Sequence, residues 1–220
     1  MGRKRIAILH TTPATIEPLG RLCGEKIPGA EVKNFLDDTI LPEISLAGRI
    51  TEGARYRLYA MMQMAQTAGA DVLLCACSSV GETVEEGRGL VRIPVFRVDE
   101  AMAEQAVERG KTIGIAAALE TTLGPTARLV ERKAGERGKK VVWEARLARG
   151  AQELLSQGKL EEYDRMVVES LMGLESSCDI VLLAQASMAR VLPLLPKEKR
   201  KKFLTSPESG IERLARVLSI

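Results

Sequence analysis

Aromatic side chains are scarce in this chain of 220 residues: one Trp, three Tyr and three Phe make up 3% of it. Its cores must therefore be built from aliphatic residues and Met, within an ordinary apolar content of 45%. Charge of one sign is also lacking, since 32 Lys and Arg against 29 Asp and Glu leave a net +3. The one basic cluster, residues 197–202, is interrupted by Glu198 and has no aromatic residues for base stacking. It reads as a solvated helix end or loop, and no nucleic-acid partner is expected. No window approaches the roughly 18 uninterrupted apolar residues of a membrane span. The N-terminal run MGRKRIAIL passes directly from basic residues into a strand-like segment, so a soluble, cytoplasmic protein with no membrane partner is expected. Four cysteines are too few for a disulfide framework. His10 is the only histidine and Cys75-Ala76-Cys77 lacks a C-x-x-C spacing, so no four-ligand metal site can be assembled and no metal is expected.

What the chain does have is an internal repeat. Residues 5–26 fall without a gap on residues 112–133, with seven identities: Ile6/Ile113, Ile8/Ile115, Thr15/Thr122, Pro18/Pro125, Arg21/Arg128, Leu22/Leu129 and Lys26/Lys133. Chance would give roughly one or two. Residues 70–82 fall on 178–190 at an offset of 108, matching Asp71/Asp179, Leu74/Leu182, Ala76/Ala184 and Ser79/Ser187. The copies disagree where one has Cys77 and the other Gln185. Two similar halves normally place two matching loops around one cleft, and here only one of those loops carries a thiol.

Short aliphatic runs alternate with segments of helical period, the pattern of βαβ units and parallel sheets. The spacing predicts strands at 4–9, 31–35, 71–76, 94–97, 112–117, 140–144 and 179–184. Helices are predicted at 15–26, 51–69, 80–89, 99–109, 122–136, 148–157, 159–176, 186–195 and 208–218. Pro18 and Pro125 are read in first helical turns, and Gly69 and Gly110 as left-handed helix ends. Met61, Met62 and Met64 read as a core stripe. The domains are 1–100, 101–205 and a C-terminal helix, 206–220, that is free to return to the first domain.

In open parallel sheets, ligands sit beyond the carboxyl ends of the strands. Those ends carry His10, Thr11, Thr12, Cys77, Ser78 and Ser79 in the first half, and Ala118, Thr121, Gln185 and Ser187 in the second. Cys77 ends a buried strand and precedes a helix start, where unpaired N–H groups favour a thiolate. Its pKa is expected below the roughly 8.5 of a free thiol. Cys23, Cys75 and Cys178 read as small core residues. Ser78, Ser79, Thr11 and Thr12 could hold a substrate carboxylate, and Thr121 and Ser187 are the substrate-binding candidates of the second half. His10 reads equally as a structural residue or as the proton acceptor or positive neighbour that backs the thiol. Thr15 and Thr122 look like helix N-caps and Glu82 like a first-turn residue favoured by the helix dipole. Asp37 and Asp38 read as a turn or cap, with a lid over the cleft as the alternative.

Taken together, IPVFRVDEAMAEQAVERGKTIGI, ETTLGPT, CSSVGE, LAQASMAR and TSPESGIERL resemble the aspartate/glutamate racemase superfamily, which includes hydantoin racemases, maleate isomerases and arylmalonate decarboxylases. The resemblance covers nearly the whole chain. It implies an α/β fold of two Rossmann-like domains with parallel sheets, related by a pseudo-twofold axis, with the active site in the cleft between them and no cofactor. A homodimer is common in the family. In the racemases a Cys from each half faces the substrate α-carbon, one removing a proton and the other delivering one. Cys77 matches the first position; Gln185 stands at the second. His10 stands where glutamate racemases carry an Asp, and Ala118 where many members carry a Thr. An amide does not titrate near neutral pH, so Gln185 can donate hydrogen bonds but cannot act as an acid. The expected function is a cofactor-independent racemase or isomerase acting on a small carboxylic acid, with Cys77 as acid/base or nucleophile. A single-cysteine decarboxylase or isomerase and a non-catalytic carboxylate-binding protein are the alternatives.

Overall fold

The runs Arg5–His10, Glu31–Leu36, Val72–Cys75 and Val95–Arg97 form strands β1 to β4 of one wholly parallel sheet, in the order β2-β1-β3-β4. Thr112–Ala117, Val142–Leu147, Ile180–Leu183 and Phe203–Thr205 form β5 to β8 of a second parallel sheet, in the equivalent order β6-β5-β7-β8. These come from a computed structural model that describes residues 3–218. The central strands are apolar on both faces: residues 6–9 of β1 and all of β3 are buried, as strands covered by helices on both sides must be. The edge strand β6 (VWEARL) is exposed along most of its length, so its polar residues shift it beyond the expected 140–144. β8 is only three residues long and gives too short an apolar run to be read.

Helices cover both faces of each sheet. In the first unit α1 (Ile16–Lys26) lies on one face, while α2 (Ile40–Ala47) and α3 (Glu52–Thr67) supply the other; α4 (Gly81–Glu86) follows β3. In the second, α5 (Glu100–Arg109) and α6 (Glu120–Glu136) pack on one face, and α7 (Ala151–Ser156) and α8 (Leu160–Glu175) on the other. The last helix, α9 (Ser206–Val217), places Ile211, Leu214 and the following Leu218 in the core of the first unit, beside Ile6 and Leu19. Among the described residues no helix is long and apolar enough to cross a membrane.

Several local expectations need correction. Residues 40–47, read as part of a loop, form α2, which ends at Gly48 with φ +64°. The segment Ala186–Leu194 is 3-10 rather than α-helical. α6 starts two residues early, so Thr122 lies within it and Pro125 is beyond its first turn. Gly69 is left-handed, with φ +80°, but Gly110 is extended. A Cβ on Gly110 would approach Asp179 Cβ to 3.0 Å and Ile180 Cγ1 to 3.1 Å, so close packing rather than φ selects glycine there. Met61 and Met62 are core, whereas Met64 is 52% exposed.

The repeat identities now have physical reasons. Asp71 accepts the Arg5 backbone N–H at 2.7 Å, and Asp179 accepts those of Lys111 and Thr112 at 2.8 and 2.9 Å, so each carboxylate fastens the start of its sheet's first strand. Lys26 pairs with Glu208 and Glu212 on α9, while Lys133 pairs with Glu100 and Glu104 on α5. The two glutamate pairs are themselves 108 residues apart. One unit comprises the chain up to Val98 together with Pro207 onward, and the other is Asp99–Ser206. Each unit therefore takes in the helix that follows the other unit's last strand.

Candidate active site

Cys77 leaves β3 in an extended conformation, φ −118°, and caps a 3-10 turn, Ser78–Val80, that leads into α4. Its sulfur is faced by the Thr11 hydroxyl, the backbone N–H groups of Ser79 and Val80, and the Ser79 hydroxyl. Burial pushes the Cys77 thiol above its ordinary value and outweighs these donors, which reverses the expectation of a depressed pKa. Helix-start N–H groups are present as expected, but desolvation of the anion dominates. Thr11 is 3% exposed and its hydroxyl makes no full hydrogen bond, so it is left facing the Cys77 sulfur. The Ser78 hydroxyl is likewise buried and has no hydrogen-bond partner. Thr12 is half-buried, and its hydroxyl accepts from the Ala14 N–H at 3.4 Å. The Cys75 thiol donates to the Cys77 carbonyl from inside the core.

His10 is fully buried between two partners: Nδ1 lies 2.7 Å from the Thr15 hydroxyl and Nε2 lies 3.0 Å from Asn34 Oδ1. An amide oxygen only accepts, so Nε2 carries the hydrogen and Nδ1 accepts from Thr15. Burial lowers the pKa of His10 against the opposing effect of the Asn34 bond, which keeps the ring neutral. Neither nitrogen is left over for the Cys77 sulfur. Thr15, placed at the start of α1, makes no cap hydrogen bond because its hydroxyl serves His10.

The corresponding end of the second sheet is built differently. Gln185 follows β7, and its Oε1 accepts the backbone N–H groups of Ala118 at 2.6 Å and Leu119 at 3.1 Å. The amide oxygen thus ties the loop after β7 to the loop after β5, leaving the NH2 end as a donor. Ala118 is buried where the first half has Thr11 and contributes no hydroxyl. Ser187 faces the phenol of Tyr163, which makes no full hydrogen bond and whose pKa burial pushes up to about 12. Thr121 sits half-buried in the first turn of α6.

Two further groups shape the first unit's loops. Asp37 accepts the Thr39 N–H at 3.0 Å, the Thr39 hydroxyl at 2.5 Å and Arg57 Nε at 2.9 Å. Burial opposes its ionisation, but these donors hold its carboxyl below the ordinary range. Arg57 also reaches Glu43, which accepts from Thr51, so the segment around α2 is fastened to α3. Asp38 is exposed. Arg97, 1% exposed, pairs with Glu85 at 3.1 Å, and a Cβ on Gly81 would lie 2.4 Å from its Nε. Arg97 therefore fills the space beside the first residue of α4, four positions beyond Cys77. Sequence reading missed Arg97, Asn34 and Tyr163. The signals were a charged residue ending the short strand VFR and an Asn within the strand EVKNFL. Tyr163 gave none beyond its place on an apolar helix face.

Comparison with known proteins places this architecture. No curated protein matches the chain. A glutamate racemase isoform from Bacillus anthracis superposes with a TM-score of 0.74 at 15% identity, covering 98% of this chain and 82% of that one. The Picrophilus torridus aspartate racemase gives 0.73 at 12% identity, over 98% and 94%. An allantoin racemase from Klebsiella pneumoniae gives 0.69 at 18% identity, over 98% and 87%. At these identities the likeness is one of fold. The model of the Asp/Glu/Hydantoin racemase family matches residues 7–213, and the chain belongs to that family.

Proposed function

We propose that the protein is a cofactor-independent enzyme of the racemase type acting on a small carboxylic acid, an amino acid or a relative of one, with Cys77 as its acid–base group. The observation that carries this is the Cys77 sulfur at the end of β3, faced by two hydroxyls and two backbone N–H groups. That shell suits a sulfur whose charge changes during a reaction. At rest, burial keeps the thiol protonated. When the proton passes to a substrate carbon, the thiolate left behind meets donors that are already oriented. Ser78, with its buried uncommitted hydroxyl, and Thr12 beside it in function are assigned to the substrate carboxylate.

Gln185 favours a second reading within the same frame, in which one thiol does all the proton transfer. Its carbonyl oxygen is spent on two N–H groups and its NH2 end has no proton to give up near neutral pH. Two outcomes are compatible with a single acid. In one, the thiolate form of Cys77, held by its facing donors after the thiol proton has gone to solvent, removes an α-proton, an enediolate forms, and the resulting thiol returns the proton to the same face. In the other, a carbon–carboxylate bond breaks, carbon dioxide leaves, the electron pair stays on carbon, and the thiol protonates it.

The test is incubation with amino acids, hydantoins, maleate and substituted malonates in heavy water, followed by NMR, with Cys77→Ala as control. Deuterium entering the α-position without inversion, or loss of carbon dioxide, supports single-thiol chemistry, and inversion supports a second donor in place of the missing thiol. Binding of these acids with neither exchange nor reaction would instead identify a non-catalytic carboxylate-binding protein.

A further inference from the structure

At the amino ends of the second sheet, the opposite end from Gln185, lies a cavity of about 490 Å3. Lys111 borders it from the start of β5, Lys139 and Lys140 from the approach to β6, and Arg109 from the end of α5. Two carboxylates, Glu108 and Asp179, also line it. Both are already compensated. Asp179 accepts two backbone N–H groups, which hold it below the ordinary carboxylate range, and Glu108 faces the Arg137 guanidinium at 3.6 Å.

The four cations are not compensated in the same way. Lys139 donates to the Val107 and Glu108 carbonyls at 3.0 and 3.4 Å, and Arg109 to the Lys201 carbonyl, so neither meets a carboxylate. Lys111 and Lys140 are exposed, and their ammonium groups make no hydrogen bond or close ion pair among the described residues, Lys111 feeling the Asp179 carboxylate only at longer range. The repeat keeps a lysine at the Lys111 position, Lys4, but shows that Lys139 and Lys140 are not needed to build the loop. Before β2 the same approach, which pairs Glu31 N–H with the Lys4 carbonyl as Val142 N–H pairs with that of Lys111, is made by Pro28 and Gly29. Uncompensated like charge around a concavity is unfavourable until an anion enters, and a monocarboxylate would neutralise only one of the four cations.

We propose that this cavity binds a small polyanion carrying phosphate or pyrophosphate, held by Lys111 and Lys140 with Lys139 and Arg109 behind them. Lysine ammonium groups suit phosphate as mobile point charges. The test is calorimetric titration of the full chain with inorganic pyrophosphate, for the wild type, Lys111→Gln, Lys140→Gln and Lys159→Gln, a surface control on the same unit. One-to-one saturable binding, weakened about tenfold or more by each of the first two substitutions and left unchanged by the third, supports the site. Absence of saturable binding, wild-type affinity in both Lys111→Gln and Lys140→Gln, or equal weakening in the Lys159→Gln control would overturn it. Binding that is insensitive to salt would overturn it too, since exposed lysines act through screened charge.

Discussion

At the scale of single residues, Cys77 and His10 show where sequence reasoning reached and where it stopped. Position along the chain put both at a strand's carboxyl end, but the sign of a pKa shift depends on the full shell of atoms. Burial of Cys77 outweighs its four facing donors, so its thiol should alkylate more slowly near neutral pH than a free cysteine. Iodoacetamide rates against pH, with Cys77→Ser to subtract the other thiols, would measure this; a faster rate than free cysteine would reverse the reading. Thr11→Val removes the facing hydroxyl nearly isosterically and should raise the thiol pKa further, slowing alkylation about fivefold at a fixed pH. His10 gives a stability prediction. Its folded pKa is depressed, chiefly by burial, so below about pH 6.5 the unfolded chain binds a proton that the folded chain refuses. Stability therefore falls as pH drops through 6.5 and continues to fall until the folded pKa is reached. As the chain has one histidine, urea melts at pH 7.5 and 5.5 should differ by up to about 1.4 kcal/mol from this source, and His10→Gln should remove that difference. No partner for His10 could be read from sequence, because Asn34 is 24 positions away and meets it only through strand pairing.

Whole elements were more legible where burial was two-sided. The central strands announced themselves as uninterrupted aliphatic runs, and the long helices α3, α6 and α8 by their period. Edge and short elements did not: β6 carries polar residues because its flanks meet water, and β8 is too short for a period. α2 was hidden by Pro42 and by its place after a turn rich in Asp. The identity Lys26/Lys133 was visible in the repeat, but not its purpose, which is to fasten a helix arriving from elsewhere in the chain. Lys133 is 7% exposed and joins Glu100 at 2.7 Å, with Glu104 and Glu136 both at 3.1 Å, so it locks α5 to α6. Lys133→Met should destabilise the second unit by about 3 kcal/mol, because it removes the ammonium that the buried Glu100 meets at 2.7 Å. Adding Glu100→Gln should recover part of that loss. Lys26, 33% exposed, faces half-exposed glutamates, and Lys26→Met should cost much less. Thermal melts of the three variants check the order; equal losses for Lys26→Met and Lys133→Met would show that burial does not set the worth of these pairs.

At the scale of the whole molecule, the repeat made the two-sheet α/β architecture readable before any coordinates, while the route of the chain between the units was not. Periodicity reports which face of a helix is apolar, not which sheet that face covers. The breaks after Val98 and Ser206 fall at equivalent places in the repeat, yet their consequences differ. The second unit is one continuous segment, Asp99–Ser206, that brings its own copy of the exchanged helix, α5. The first unit is discontinuous and depends on α9 to cover the face made by Ile6, Ile8, Leu19, Val72 and Leu74. Removing α9 exposes that face and withdraws Ile211, Leu214 and Leu218, each buried aliphatic side chain being worth about 1.5–3 kcal/mol. Together these match the roughly 5–15 kcal/mol by which a domain is stable at all. A fragment of residues 99–206 should therefore unfold cooperatively in urea, whereas residues 1–98 alone should bind a hydrophobic dye and melt without a sharp transition. A first unit carrying residues 207–220 through a flexible linker after residue 98 should regain the sharp transition. Should residues 1–98 melt cooperatively unaided, α9 would be a covering of the first core and not part of it.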